Sequence, residues 1–528
     1  MNINHERLPD DPEELKNIIA ELSAQDERKQ AHIEWLEKES EVLHDELALL
    51  RQKLFGRSSE RYSEAELTQQ SLFNEELGAT EGPETTVEVS PHVRRKPVRK
   101  SLPPDLPRIE VIHDIDEEEK ICGCGAELVR IGEESSEKLD IIPQKLQVIR
   151  HIRPKYACKA CEGSGDEEHP AVRIAPPPQE MIPKGIASAG LLAYIVTSKY
   201  VDAIPYYRQA KQFDRIGIDL PRSTMCEWVM ETGRKCEPLV ELMSDEIRSG
   251  PMIQMDETTV QVLGEEGREN TAKSYMWVVR GGDPNHPLVL YHYHRGRSSQ
   301  IPLRYLQDYT GYLQTDGYKG YDDAGELPGI THVGCWAHVR RKFFDAQKAS
   351  KKTGSAEEAI ARIGKLYQIE SELRTSLEAG ELSEDEFVSK RKERVEPILE
   401  QFYEYLQKKS GQVPPSTLLG KAVSYSLGQW PKLMRYLDAS FLTPDTNRVE
   451  NAIRPFVLGR KNWLFSGSPR GAYSSSALYS LVETAKANGL EPYRYLRFLF
   501  EKIPLAREKE DLEKLLPHRF DPAKFNSS

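Results

Sequence analysis

A chain of 528 residues is too long for a single core, so three or more domains are expected. Its formal net charge of −12, with 30% charged residues, excludes bulk attraction to polyanions and leaves any nucleic-acid contact to local basic patches. No apolar run approaches the roughly 20 residues of a membrane helix. The amino terminus has no signal-peptide pattern, and the seven cysteines include two close pairs. Together these suggest a cytoplasmic protein with a metal site rather than a disulfide framework.

Residues 1–56 carry leucines at a seven-residue period, Leu15, Leu22, Leu36, Leu43 and Leu50, with Lys29 in the missing slot. Four positions later come Ile19, Asp26, Ile33, Ser40, Leu47 and Leu54. That spacing predicts a left-handed coiled coil through which the protein self-associates as a homodimer or higher oligomer. The alternative is one amphipathic helix packed on its own protein. Residues 57–110 are rich in Ser, Glu, Pro and Thr and read as a linker. Its basic cluster HVRRKPVRK, at 92–100, is either a solvated tether or a phosphate contact.

Residues 111–170 hold the cysteine pairs Cys122/Cys124 and Cys158/Cys161, separated by a stretch rich in β-branched residues. Four thiolates close a tetrahedral zinc site, so a small zinc-ribbon-like module with one structural Zn²⁺ is expected. The first pair has only Gly123 between its cysteines, which leaves His113, His151 or His169 as an alternative fourth ligand. Residues 171–248 read as helices around a turn at 217–220, a helix-turn-helix whose reading helix begins at Arg222, Ser223 and Thr224, with Ser223 or Thr224 as its cap. A helical hairpin without DNA contact is the competing reading.

From residue 249 the pattern changes to strands: MIQMDETTVQVL, SYMWVVRGG and PLVLYHYH, then a helix at 297–309, the strand GYLQTDG and a helix from Cys335. Asp256 and Asp316 each follow a short apolar run, as at the end of a buried strand. Cys335 and His338 have the spacing of half a zinc site, but no second half follows, so the pair is not read as one. His338 is read instead as active-site support, contacting phosphate or orienting a carboxylate, or else as a buried helix histidine. Arg340, Arg341 and Lys342 form a basic patch beside it. Residues 348–440 are charged and helical, with capping-box spacing at 383–386, and read as an insertion between 249–347 and 441–505. After it, Glu450 lies among Arg448, Arg454, Arg460 and Lys461, and 506–528 is a charged tail. A lone carboxylate among cations is usually an ion pair. Three carboxylates converging from separate elements would instead suit phosphoryl transfer with two divalent cations.

The stretches QMDET, QTDGYKGY, GCWAHVRRKF, NRVENAIRPFVLGRKNWLFSGS and SLVETAKANGL, with RQKLFGRSSER and RPKYACKAC upstream, resemble the DDE transposases of the insertion sequence 66 family over nearly the whole chain. The resemblance implies a multidomain α+β protein: amino-terminal coiled coil, zinc module, helix-turn-helix, and a ribonuclease H-like α/β catalytic domain interrupted by a helical insertion. It implies Asp256, Asp316 and Glu450 as ligands of two Mg²⁺ or Mn²⁺. Arg222, Ser223, Thr224, Arg340, Arg341, Lys342, Arg448, Arg454, Arg460 and Lys461 would contact double-stranded DNA at the element's ends and target. It implies accessory proteins of the same element as partners, and no membrane. The competing functions are a DNA-binding regulator with an inactive catalytic domain and a nuclease or integrase acting on another DNA.

Overall fold

The computed structural model describes residues 11–55, 146–157, 172–349 and 354–520. The chain divides into two compact units, residues 81–177 and the remainder. Of the smaller unit, the described part is an antiparallel pair, β1 (Lys155–Ala157) and β2 (Val172–Ile174). Arg153 Nε donates to the Ala175 carbonyl at 2.7 Å beside it. The four cysteines expected to hold zinc and the 92–100 cluster lie outside the described residues.

In the larger unit, the heptad segment is one helix, α1 (Pro12–Phe55), which touches two helices of the body introduced below as α6 and α9. Helices α2 (Ala189–Tyr200), α3 (Tyr206–Arg215) and α4 (Arg222–Ser249) follow. Ser188 caps α2 through its hydroxyl, and Gly217, at φ +81°, makes the expected turn between α3 and α4. Two expectations are corrected. The cap of α4 is Pro221 with no side-chain bond, so neither Ser223 nor Thr224 caps it. The helix also continues through Pro238 to Ser249, because Trp228, Val229, Cys236, Leu239 and Met243 bury one continuous stripe. That stripe meets the sheet described below, so the predicted hairpin shares its core.

The sheet contains β3 (Met252–Gln261), β4 (Lys273–Asp283), β5 (His286–His294), β6 (Gly311–Gln314) and β7 (Ile330–Val333), in the order β5-β4-β3-β6-β7. β3, β4 and β5 are antiparallel; β6 and β7 run parallel to β3. Between β5 and β6 the helix is a single short turn, α5 (Gln300–Tyr305). The strand β7 was not expected: four residues, three of them half-buried, leave little periodicity to read.

Helix α6 (Trp336–Ala349) leads into the insertion, formed by α7 (Gly354–Glu378), α8 (Glu384–Ser410) and α9 (Leu418–Met434). It forms a second core, built on Trp336, Phe343, Phe387 and Phe402, that also takes in Met252 of β3 and Val333 of β7. The capping box is present, Ser383 and Glu386 each bonding the other's backbone. Helix α10 (Asn447–Trp463) then crosses β3 and β4, and α11 (Pro469–Ala487) lies along β5. The outer edge of β5 is closed by that helix. Ser480 and Thr484 accept from the backbone N–H of Tyr291 and Val289 at 2.8 and 2.9 Å. Hydroxyls on one helix thus replace a sixth strand. Helix α12 (Pro492–Lys502) packs back on α2.

Candidate active site

Two glutamines set the site's geometry. Gln254 on β3 and Gln314 on β6 are register partners in the parallel pair, both fully buried, and Gln254 Nε2 donates to Gln314 Oε1 at 2.7 Å. Gln314 Nε2 donates in turn to the Thr443 carbonyl at 2.7 Å. This chain of amides joins β3, β6 and the approach to α10. Two residues beyond each glutamine stands an aspartate, Asp256 or Asp316. Asp316 also anchors its own turn, accepting from Tyr318 N–H at 2.9 Å.

Glu450 reaches the same place from the first turn of α10, only 3% exposed. Thr446, the residue before α10, donates from Oγ1 to Glu450 Oε1 at 3.0 Å. Glu450 Oε2 has no hydrogen-bond partner; Arg341 Nη2 stands 3.9 Å away. His338 Nδ1 is 3.8 Å from Oε1. Burial, and next the charges of Glu257, Glu450 and Asp316, hold the Asp256 carboxyl well above the ordinary range. Asp316 is raised as well, mainly by burial, against the opposing pull of Tyr318 N–H and Arg297. Asp256 therefore senses both of the other expected carboxylates.

Neighbouring acids are occupied. Glu257 is held by Arg297 and the Tyr321 hydroxyl. Asp445 accepts from Asn447 N and Nδ2 at 3.0 and 2.9 Å, and Glu483 pairs with Lys486 at 2.9 Å. A crowded set of buried acids, one of whose oxygens lacks a hydrogen bond, fits hard divalent cations.

Cations surround the set. Arg341 and Lys342 on α6 stand near enough to Asp316 to oppose its upward shift, and Lys342 lies over the Tyr425 ring at 4.4 Å. Arg340 rests on Phe344 at 4.8 Å. Arg297, which the sequence reading passed over, stacks on Tyr318 at 3.6 Å. Farther along α10, Asn451, Arg454 and Lys461, with Lys486 of α11, line a groove of about 760 Å³. Arg448, Arg222 and Ser223 are exposed, and Thr224 is half-buried. Arg460 is engaged differently, its Nη1 donating to Thr259 Oγ1 at 2.9 Å and so tying α10 to β3.

The two glutamines, Arg297 and Thr446 were missed as site residues. The repeated Gln-x-Asp in QMDET and QTDG was the available signal for the glutamines; period two puts both residue types on one strand face.

The family model described as "Transposase IS66 family" matches residues 184–474, and "IS66 C-terminal element" matches 480–518. "Zinc-finger binding domain of transposase IS66" matches 119–162, which spans all four paired cysteines. "Transposase C of IS166 homeodomain" matches 42–111, which spans the carboxyl end of the heptad segment and the stretch read as a linker. The chain is similar over 98% of both lengths to "Uncharacterized protein y4jD" and "Uncharacterized protein y4qI" of Sinorhizobium fredii (strain NBRC 101917 / NGR234), at 34% and 31% identity. "Uncharacterized protein y4hP" of the same organism is 29% identical over 89% of this chain and 86% of its own. No helix among the described residues is long and apolar enough to cross a membrane. With a catalytic-domain model covering more than half its length and relatives matched end to end, the chain belongs to the transposase IS66 family.

Proposed function

We propose that the protein binds the ends of its mobile element and cuts and rejoins DNA strands at a site formed by Asp256, Asp316 and Glu450. The convergence of these three carboxylates around an orphaned Glu450 oxygen carries the reading. The strand order, three antiparallel strands followed by two parallel ones, supports a ribonuclease H-like catalytic domain. Asp256, Asp316 and Glu450 would hold two Mg²⁺ or Mn²⁺, which when bound supply Lewis-acid charge for in-line attack by water and then by a 3′-hydroxyl on a phosphodiester. Arg341, Lys342 and Arg297 meet the phosphates beside the scissile bond, and Arg454 and Lys461 track the backbone farther out. Arg222, Ser223, Thr224, Arg340 and Arg448 extend that contact. Cys122, Cys124, Cys158 and Cys161 hold a structural zinc, and α1 joins two copies. His338 supports Glu450 from α6.

The test is metal-dependent nicking and joining of element-end DNA. Asp256→Asn, Asp316→Asn and Glu450→Gln should each abolish both steps while end binding stays nearly intact. Double variants should be no worse than single ones, because the three act as a unit. Glu450→Gln retaining cleavage within about tenfold would remove Glu450 from the site. A wild-type protein that binds ends but never nicks would instead be a regulator.

A further inference from the structure

The half-site Cys335-x-x-His338 lacks a second half in sequence, but the fold supplies one. Cys335, fully buried, immediately precedes α6, and His338 lies in the first turn of that helix. Glu450 occupies the first turn of α10. The two helix starts are stitched together: Trp336 N–H donates to the Pro444 carbonyl at 2.9 Å, and Thr446 N–H points at Cys335 Sγ at 3.4 Å. One sulfur, one imidazole nitrogen and one carboxylate oxygen thus lie within 4.8 Å of one another. We propose that Cys335, His338 and Glu450 form a site for a thiophilic divalent cation of the zinc class, which on binding draws Glu450 away from Asp256 and Asp316 and arrests strand cleavage.

Three observations support this. His338 Nδ1 and Glu450 Oε2 are both sealed from water without a hydrogen-bond partner. Thr446 Oγ1 lies 3.0 Å from Glu450 Oε1 and 3.3 Å from Cys335 Sγ, yet its single hydroxyl proton can serve only one of them. Tetrahedral zinc, with bonds of about 2.0–2.3 Å, sets its ligands roughly 3.5 Å apart, so the three atoms need to close by about an ångström. Such a site takes imidazole in its neutral form and releases the thiol proton on binding. The positive ends of two helices stabilise the resulting anions. His338, 20% exposed, marks the way in. Magnesium, a hard cation, has no use for the sulfur, so the site discriminates by ligand chemistry.

The withdrawal of Glu450 rests on its place in the proposed triad; the site itself does not. Full-length protein carrying zinc in its zinc finger is titrated with Co²⁺. We expect one further ion per chain, with tetrahedral d–d bands and a cobalt–thiolate charge-transfer band. That band should vanish in Cys335→Ser, and affinity should drop at least about tenfold in His338→Ala. No charge-transfer band in the wild type, or the same band in Cys335→Ser, overturns the site. Should Cys335→Ser fail to fold, the wild-type spectrum and the His338→Ala titration decide it. In the second arm, Zn²⁺ should slow magnesium-dependent nicking at least tenfold in the wild type and less than twofold in Cys335→Ser, each against its own zinc-free rate. Equal inhibition of both overturns the arrest. Absence of nicking with magnesium alone would fault the triad reading while the cobalt spectrum still judges the site.

Discussion

His292 shows how burial alone sets the behaviour of a single group. It lies on β5, its ring 5.5 Å from that of Tyr305, and its Nε2 is sealed without a hydrogen-bond partner. Burial lowers its pKa from 6.5 to about 4. A depressed histidine binds fewer protons folded than unfolded between those two values, so its contribution to stability is complete above the ordinary histidine range. It is lost as pH falls toward 4. By pH 5 the loss amounts to at most about 2 kcal/mol. His332, lowered to about 4 chiefly by burial and bonded to Thr315 Oγ1 at 2.8 Å, adds in the same direction. In His292→Phe, the fall in urea midpoint between pH 7 and pH 5 should shrink by a comparable amount. An unchanged slope would mean that the folded protein takes up the proton at this site without penalty.

Among elements, the decisive problem is to bring the start of α10 to the middle of β3 and the end of β6. The Gln254–Gln314–Thr443 chain does this from the strand side. The insertion does it from the other. Arg391, with no exposed surface, donates from Nη1 to the Leu442 carbonyl at 3.1 Å, and Arg374 Nη2 reaches the same carbonyl at 2.6 Å. Glu370 balances both guanidinium groups, at 2.9 Å from Arg374 and 3.4 Å from Arg391. The segment before Glu450 is therefore clamped between sheet and insertion. Gln254 and Gln314 are positioning residues: Gln314→Leu leaves a buried amide and a carbonyl unsatisfied, at a cost of about 1–3 kcal/mol. We expect cleavage to fall at least about tenfold with end-DNA binding unchanged. Gln254→Leu/Gln314→Leu together should be little worse than either alone. Equal losses in binding and cleavage would show that the pair only holds the fold.

At the scale of the whole molecule, most of the described seam residues of α1 are exposed. Ile19, Leu22, Ile33, Leu36, Leu43, Leu47 and Leu50 are 41–61% exposed, although the helix touches α6 and α9. A single-chain amphipathic helix would bury that stripe. The exposed a and d positions instead favour a second copy, with Asp26, Lys29 and Ser40 weakening the seam and fixing its register. Replacing Leu36 and Leu43 with glutamate should lower the sedimenting mass of the full-length protein while the far-ultraviolet signal of the body persists. An unchanged mass would mean that α1 is not the assembly device.

Local chemistry was legible without a structure. The heptad predicted α1, Ser383 and Glu386 predicted the start of α8, and apolar runs ending in acid predicted β3, β6 and the place of Asp316 at a strand end, whereas Asp256 lies in the middle of β3, which runs on to Gln261. Each depends on residues a few places apart, where backbone geometry fixes who meets whom. Only the tertiary structure decided that Gln254 pairs with Gln314, that Arg460 bonds Thr259, and that Glu450 lies beside Cys335 and His338. It also decided that α4 runs through Pro238 into the sheet's core and that a four-residue β7 closes the parallel edge. Those partners lie tens to hundreds of residues apart. What joins them is strand register and helix packing, set by the whole buried core and carried by no short stretch of chain.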